Sequence, residues 1–139
     1  MITTEGKTLV QVLVEVAGVL VAQGEQCVLH REYSGDTCMY QNEKGNHCAV
    51  GFLLPENEKL LTLEANVTEL VDKWPELLGD NEAFIRDNRY ILSLLQDVHD
   101  SNGQGSRKHS LEIMLREFEG VEEQILRDVF TPWVELGAK

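Results

Sequence analysis

The first apolar stretch of the chain has the period of a helix that is buried on most sides. Residues that are polar or small recur at helical spacing, and they are Gln11, Glu15, Gly18 and Ala22. Valine at alternate positions is also typical of a strand, but Leu9, Leu13 and Ala17 between the valines are apolar as well. Because Thr8 can cap the start of a helix and Gly24 its end, the pattern predicts a buried helix between these two residues.

Turn-forming residues then mark a small β-hairpin, predicted over residues 37–48. Its centre is the sequence NEKG, in which Gly45 stands at the left-handed position of a four-residue loop. The preceding segment, residues 25–37, has no clear period and contains the turn signature SGD at residues 34–36. We interpret it as a connection that carries a short strand at residues 27–29.

The chain after the hairpin is predicted to form helices separated by prolines and by the loop DSNGQG at residues 100–105. Apolar residues in these segments recur three and four positions apart, which places them on one face of a helix. The first three predicted helices are a short one at residues 48–54 with Cys48 in its first turn, one at residues 63–74, and one from Asp80 or Asn81 to about His99. The last begins at Ser106 or Ser110, is broken or bent at Gly120, and ends at Pro132, which leaves a tail from Trp133 to Lys139.

Length and composition agree with one helical domain. The 139 residues are enough for a single core. Hydrophobic residues make up 42% of the chain, slightly below ordinary globular usage, and the charged share of 26% is typical of globular proteins, so the composition does not indicate a disordered chain. We therefore predict a mainly α fold: a single compact helical domain over residues 1–139, with one small β-hairpin around residues 37–48.

The net charge of the chain limits the kinds of molecule that we expect it to bind. Asp and Glu number 24 against 12 Lys and Arg, which gives a formal net charge of -12. Binding to a nucleic-acid duplex requires cations placed at the phosphates, and most of the basic residues here are isolated. We therefore expect no direct nucleic-acid binding, and a basic surface on a partner protein is the better electrostatic match. The alternative interpretation is an acidic surface that serves only solubility.

The N-terminal residues predict neither a secretory signal nor a membrane span. The segment before Leu9 has no basic region, and no small-residue cleavage site follows the apolar run. That run is short for a membrane span and contains Gln11 and Glu15. The odd number of cysteines, three, favours reduced thiols. We expect a soluble cytoplasmic protein, and no pattern in the sequence indicates its oligomeric state.

Cys48 and His99 are the candidate pair for thiol catalysis. A cysteine in the first turn of a helix has a lowered pKa, His99 would act as the base, and a carboxylate would orient the imidazole. The candidates for that carboxylate are Asp100, Asp97 and Asp36. Neighbouring helical residues such as His99 and Asp100 point about 100 degrees apart and seldom pair with each other. Because cysteine usually packs as a small apolar residue, we prefer a protein without catalysis.

A zinc centre is the second candidate site. Zinc favours four tetrahedral nitrogen and sulfur ligands, and the candidates are Cys38, Cys48, His99 and either His47 or Asp100. The two cysteines are far apart in sequence, whereas structural zinc sites commonly use pairs about two to four residues apart. The alternative is structural: Cys38 and Cys48 face each other across the hairpin, and His99 and Asp100 end a helix. We prefer this alternative and expect no cofactor.

The residues around the predicted hairpin resemble a known family. Cys38, Tyr40 and Gly45, followed by CAVGFLLPE at residues 48–56, are similar to the motif C-x-Y-x4-G-x2-C-A-V-G-x-L-L-P of small uncharacterised bacteriophage and prophage proteins. The resemblance continues through Glu64, Val67 and Leu70 and then through LQDVHD at residues 95–100. It implies a phage or mobile-element origin and brings no assigned activity.

Charge and resemblance together favour a function in protein binding. We expect a small acidic phage- or prophage-type protein that binds a host protein in the cytoplasm of the host cell, as an inhibitor or as a polyanion mimic. The alternative is a small enzyme or zinc-binding module that uses Cys38, Cys48 and His99. That alternative predicts that the three side chains converge in a cleft.

Overall fold

The computed structural model describes residues 1–31 and 35–137, and most of this part of the chain is helical. Its elements are α1 (Leu9–Gln23), β1 (Val28–Arg31), β2 (Gly35–Cys38), α2 (Val67–Lys73), α3 (Glu82–Asp87), α4 (Arg89–Asp100), α5 (Gln104–Leu115) and α6 (Gly120–Leu136), with short 3-10 turns at Val50–Leu53, Glu58–Leu61, Pro75–Leu77 and Gly79–Asn81. The predicted fold class, mainly helical with one small hairpin, is confirmed. Ser34 of the predicted turn, and Ala138 and Lys139 of the predicted tail, lie outside the described residues.

The hairpin lies earlier in the chain than predicted. Its ladder is formed by β1 and β2 in antiparallel register, whereas the predicted segment, residues 37–48, contains an isolated bridge between Gln41 and His47. The Asn42 side chain closes this bridged turn by accepting a hydrogen bond from the Asn46 N–H at 3.0 Å, and it also donates to a carbonyl of β1 at 3.0 Å. Such side-chain bonds compete with the backbone bonds of a ladder.

Helix α1 forms where the pattern predicts it, because both of its ends are capped and a wide face is buried. Thr8 and Gln11 make a reciprocal capping box at the start. At the end, Gly24 has a φ of 78° and donates its N–H to the Leu20 carbonyl at 3.0 Å. The buried side chains have helical spacing and are Val12, Leu13, Val16, Ala17 and Leu20. Burial of this face outweighs the strand preference of the alternating valines.

Two of the predicted helices have other boundaries, which local side-chain bonds explain. Helix α2 begins later than predicted, because Asn66 accepts a hydrogen bond from the Glu69 N–H at 2.8 Å and forms a capping box with it. The single helix predicted up to His99 is divided into α3 and α4 at Asn88. The Asn88 side chain donates to the Phe84 carbonyl at 2.9 Å, which satisfies a carbonyl at the end of α3.

The prediction that Pro132 ends the last helix is wrong, because α6 continues to Leu136. A proline inside a helix removes one backbone hydrogen bond. The next residue, Trp133, is fully buried, and its indole N–H donates to the Val98 carbonyl at 3.0 Å. Its own carbonyl accepts a hydrogen bond from Arg107 at 2.8 Å. These tertiary contacts hold the final turn of the helix in place.

The helices pack around one continuous apolar core. Helix α6 packs against α1 and α5, α5 also packs against α4, and α2 packs against α4. The end of β2 and the last turn of α4 lie side by side at one edge of this core, where a side chain of β2 reaches α4. No helix in the described part of the chain is long and apolar enough to cross a membrane.

Candidate functional site

The structure brings together two groups of residues that lie far apart in the sequence. Cys38 ends β2, whereas His99 and Asp100 form the last turn of α4. The Cys38 sulfur, a ring nitrogen of His99 and a carboxylate oxygen of Asp100 all lie within 4.8 Å of one another. Cys27 and Gln96 extend this cluster through hydrogen bonds. We call these five residues the His99 network.

The His99 imidazole is enclosed on its flat faces. Its side chain is 0% exposed, and its ring is stacked on the Trp133 indole with the ring centroids 5.9 Å apart and the planes 9° apart. The Arg107 guanidinium lies over the Trp133 ring, 3.9 Å from its centroid, which is a favourable cation–π distance. The imidazole is therefore part of the packed core.

Hydrogen bonds determine which ring nitrogen of His99 carries the proton. The buried backbone N–H of Cys27 donates to Nε2 at 3.1 Å, so Nε2 must keep its lone pair. Nδ1 therefore carries the hydrogen and donates it to Asp100 Oδ1 at 2.6 Å. The expectation that these two neighbouring residues do not pair is wrong. Asp100 is the last residue of α4, so no following turn restrains its side chain.

The Asp100 carboxylate is the acceptor at the centre of the His99 network. It receives the His99 Nδ1–H, the Gln96 side-chain amide at 3.4 Å and the Cys38 thiol. Burial, and then the negative charge of Asp100, raise the pKa of Cys38 to about 12. Cys38 is consequently a protonated thiol at neutral pH and serves as a hydrogen-bond donor.

Cys48 lies outside this cluster, in the core. Its side chain is 0% exposed, and its sulfur accepts a hydrogen bond from the Gly51 N–H at 3.2 Å. Cys48 precedes the 3-10 turn Val50–Leu53 and is not within a helix. Burial raises the pKa of the Cys48 thiol well above its ordinary value. Of the predicted trio, the structure thus joins Cys38 with His99 and leaves Cys48 sealed from solvent.

The other candidate residues lie in different contacts. His47 pairs with Glu56 at 2.7 Å and packs against the Phe52 ring. Asp36 pairs with His30 at the hairpin. Asp97 is exposed at the edge of the His99 network. Each of these three side chains is therefore separate from the pairing of His99 with Asp100.

This geometry is unfavourable for zinc and for thiol catalysis. A metal ion or a proton would have to be taken up by a lone pair on His99, and the neutral ring has its lone pair at Nε2, where Cys27 donates to it. Coordination through Nδ1 would move the proton to Nε2 and set two N–H groups against each other in the core. Cys38 would also have to lose a proton beside a carboxylate.

Adding Zn²⁺ is therefore expected to leave the thermal unfolding midpoint unchanged. A metal that binds only the folded state, at a free concentration of one hundred times its Kd, would raise the free energy of unfolding by about 2.7 kcal/mol. A thermal scan resolves this easily. The measurement compares the protein in EDTA with the protein in excess Zn²⁺, and Cys38→Ser serves as the control. A midpoint that rises with zinc in the native protein but not in Cys38→Ser would restore the zinc hypothesis.

A small hollow opens beside the His99 network. Its volume is about 260 Å³, and its polar lining includes Asp97, Asp100, Gln96, Ser93 and Asn66. Lost hydration, and then the negative charge of Asp100, raise the pKa of Asp97. Two carboxylates that repel each other in a partly enclosed space favour a cation. The hollow can accept a positively charged group, and we call it the Asp97 hollow.

Two residues that organise the site were not among the predicted site residues. Gln96 links the network to the CAVG segment, because its side-chain oxygen accepts the Val50 N–H at 3.2 Å. The Trp133 indole is stacked against one face of the His99 ring. The spacing of Val129, Phe130 and Trp133 continues the apolar face of α6, and this signal was available in the sequence although Pro132 interrupts it.

The site forms where two separate segments of the motif lie against each other in the fold. The segment with Cys38 and Tyr40 and the segment with Gln96, His99 and Asp100 line the same hollow or join the same hydrogen bonds.

Compared with family models, with curated proteins and with solved structures, the chain matches none of them.

Proposed function

We propose that this protein is a phage- or prophage-type protein that acts without catalysis, by binding a basic surface of a host protein. The similarity of the CAVG segment to phage proteins supports the origin, and the net charge of -12 supports the type of partner. The observation that carries the proposal is the Asp97 hollow, in which two carboxylates stand together. In this proposal a lysine or arginine side chain of the partner enters the hollow.

Electrostatics explains why such a side chain would bind. Among the side chains that the structure describes, no Lys or Arg forms an ion pair with Asp97 or Asp100, and His99 donates to Asp100 as a neutral ring. Lost hydration, and then the uncompensated negative charge of Asp100, raise the pKa of Asp97. An incoming cation would remove this repulsion and form charge-assisted hydrogen bonds.

The size of the hollow favours a single side chain over a small-molecule ligand. Its volume of about 260 Å³ lies below the roughly 300 Å³ at which ligand pockets usually begin. Exposed carboxylates also occur on several other elements, namely α1, α2, α3 and α6. This wide distribution favours binding of a basic protein surface over imitation of a nucleic acid, which would require one continuous stripe of carboxylates.

Asp97→Asn is expected to weaken partner binding about tenfold, which corresponds to about 1.4 kcal/mol. The free energy of unfolding should stay within about 0.5 kcal/mol of the native value, because a carboxylate with a raised pKa does not stabilise the fold at neutral pH. The measurement is affinity capture from a bacterial host lysate with mass spectrometry, at low and at high salt. Asp87→Asn, which removes the same charge from an exposed position of α3, is the control.

The pH dependence of capture provides an independent test. Binding a cation requires ionised Asp97, and the pKa of this group is raised in the free protein. Affinity should therefore fall as the pH decreases through the raised pKa, and Asp97→Asn should remove this dependence. Equal capture by native protein, Asp97→Asn and Asp87→Asn, unaffected by salt, would refute the proposed function.

A further inference from the structure

A second surface lies at the other end of α4. Helices α4 and α5 are joined by residues 101–103 and pack against each other, and α5 and α6 are joined by residues 116–119 and also pack. The start of α4, the end of α5 and the start of α6 therefore lie at the same end of the three helices. Tyr90 agrees with this placement, because the negative charge of Glu117 in the connection, and then a hydrogen bond with that carboxylate, raise the pKa of Tyr90.

Apolar side chains are unusually exposed at this end. Val121 is 76% exposed, Tyr90 61% and Ile125 39%. They are three of the five large apolar side chains that are exposed in the described part of the chain. On α6, Val121, Ile125 and Asp128 follow one another at spacings of four and three residues, so they share one helical face. The exposed face thus has apolar residues followed by a carboxylate.

Carboxylates surround these apolar residues. Arg127 pairs with Glu112 and with Glu123, the latter at 2.6 Å, which compensates those two charges. Glu119 and Glu122 are exposed beside Val121. A hollow of about 340 Å³ adjoins Gly120. Its lining combines the half-buried Phe118 and the buried Leu115 with three glutamates and one cation, and these charged residues are Glu112, Glu119, Glu123 and Arg116. The apolar centre therefore has an acidic rim.

The charge of the rim identifies the kind of partner. A second copy of the chain would place one acidic rim against another, and each copy already carries a net charge of -12. Nucleic acids and anionic lipid surfaces would be repelled for the same reason. A helix with an apolar stripe flanked by lysine or arginine matches both features, since its stripe would cover Val121 and Ile125 and its cations would meet the rim.

We propose that this surface binds a basic amphipathic helix of another protein. The residues that define it are Tyr90, Glu117, Glu119, Val121, Glu122 and Ile125, and we call it the Val121 face. It is separate from the Asp97 hollow, since Asp97 lies in the last turn of α4 and Tyr90 in the first. The proposal therefore does not depend on the function proposed for that hollow.

The test uses a designed peptide with the full-length protein. The probe is a peptide of about 18 residues, long enough to form a helix on binding, with Leu on one face and Lys on the other. A second peptide has Glu at every Lys position, and a third has the Leu/Lys composition in an order without helical period. Binding is followed by amide chemical shifts in NMR titrations, which give both the affinity and the location.

We expect the amphipathic Leu/Lys peptide to bind with shifts concentrated at Tyr90 and at residues 115–128. V121S/I125S should weaken this binding about tenfold, because it removes the apolar contact. V19S is the matched control, since Val19 is 36% exposed on α1. This variant should bind the peptide within about twofold of the native protein. Should V121S/I125S fail to fold, E119Q/E122Q tests the rim with the same expected direction.

Three results would overturn the inference. Shifts that lie elsewhere on the protein would show that the peptide uses another surface. Equally tight binding of the peptide without helical period would show attraction by charge alone. Sedimentation that reveals self-association of the native protein, lost in V121S/I125S, would identify a second copy as the occupant. None of these results bears on capture of a host protein through Asp97, so the two proposals fail separately.

Discussion

Gly51→Ala is expected to lower the free energy of unfolding by about 3 kcal/mol or more. A Cβ atom at Gly51 would lie 2.0 Å from the Tyr40 carbonyl oxygen and 3.0 Å from the Tyr40 carbonyl carbon. The Tyr40 backbone cannot move away easily. Its carbonyl accepts the Cys48 N–H at 3.1 Å, and its side chain is buried with the hydroxyl bonded to the Ala65 carbonyl at 2.7 Å.

Urea unfolding measures this effect, and a second glycine provides the matched control. Gly18→Ala lies in the middle of α1, where an added Cβ has open space. It should leave stability unchanged or raise it by roughly 0.5 to 1 kcal/mol, because alanine loses less conformational freedom in a helix. If Gly51→Ala unfolded at the same urea concentration and with the same slope as the native protein, the close approach of the Gly51 and Tyr40 backbones would be disproved.

The expected cost of Asn81→Ala is similarly large, about 3 to 5 kcal/mol. Asn81 is 2% exposed, and its amide group ties the N-terminal segment to the core. Its Oδ1 accepts the Thr4 N–H at 3.1 Å and the Thr4 hydroxyl at 2.8 Å. Its Nδ2 donates to the Ile2 carbonyl at 2.7 Å and to the Leu53 carbonyl at 2.8 Å. Alanine would leave buried polar groups without these partners.

Asn81→Asp separates the loss of hydrogen bonds from the loss of packing. The carboxylate keeps an acceptor for Thr4 but turns an oxygen toward the carbonyls of Ile2 and Leu53. These carbonyls favour the protonated acid, so the pKa of Asp at this position should be raised by folding. Stability should then be lowest at neutral pH and should recover as the pH falls through that raised pKa.

Chemical denaturation at two pH values, with hydrogen exchange at the Thr4 amide, measures the effect of both Asn81 variants. Asn102→Ala is the control, since Asn102 is an exposed loop residue, and it should change stability by no more than about 0.5 kcal/mol. Slow exchange of the Thr4 amide in Asn81→Ala would contradict the assignment of its hydrogen bond.

The CAVG segment at residues 48–51 has a physical explanation in these contacts. Gly51 is required by the Tyr40 backbone, and the Cys48 sulfur accepts a hydrogen bond from the Gly51 N–H. The neighbouring Ala49 and Val50 are fully buried. The CAVG segment therefore serves the packing of the core.

Elements whose signals are local were predictable. Helix α1 has its capping box, its terminal glycine and its apolar period within one continuous segment, and each of these acts over about one helical turn. The mainly helical class follows from the same kind of signal. The net charge is likewise a property of composition.

The residue types of the candidate site could be predicted from the sequence, but the contacts among these residues could not. Cysteine, histidine and aspartate identified Cys38, His99 and Asp100 as candidates, but the sequence alone favoured Cys48 as the thiol. Burial determines that difference, because Cys48 is sealed in the core and Cys38 is half-buried beside Asp100. Burial depends on what packs above a residue, which its neighbours in sequence do not specify.

Long-range contacts account for the remaining differences. The protonated nitrogen of His99 depends on the N–H of Cys27, 72 residues earlier in the chain. The helical turn after Pro132 depends on the Trp133 contacts with Val98 and Arg107. The observed hairpin lies earlier in the chain than the predicted one, and the Asn42 side chain of the predicted segment donates a hydrogen bond to β1. Helical period and capping residues specify single elements, since their energies arise within one turn of the chain. Hydrogen bonds between elements form only once the core has brought those elements together, so folding in three dimensions determines the site.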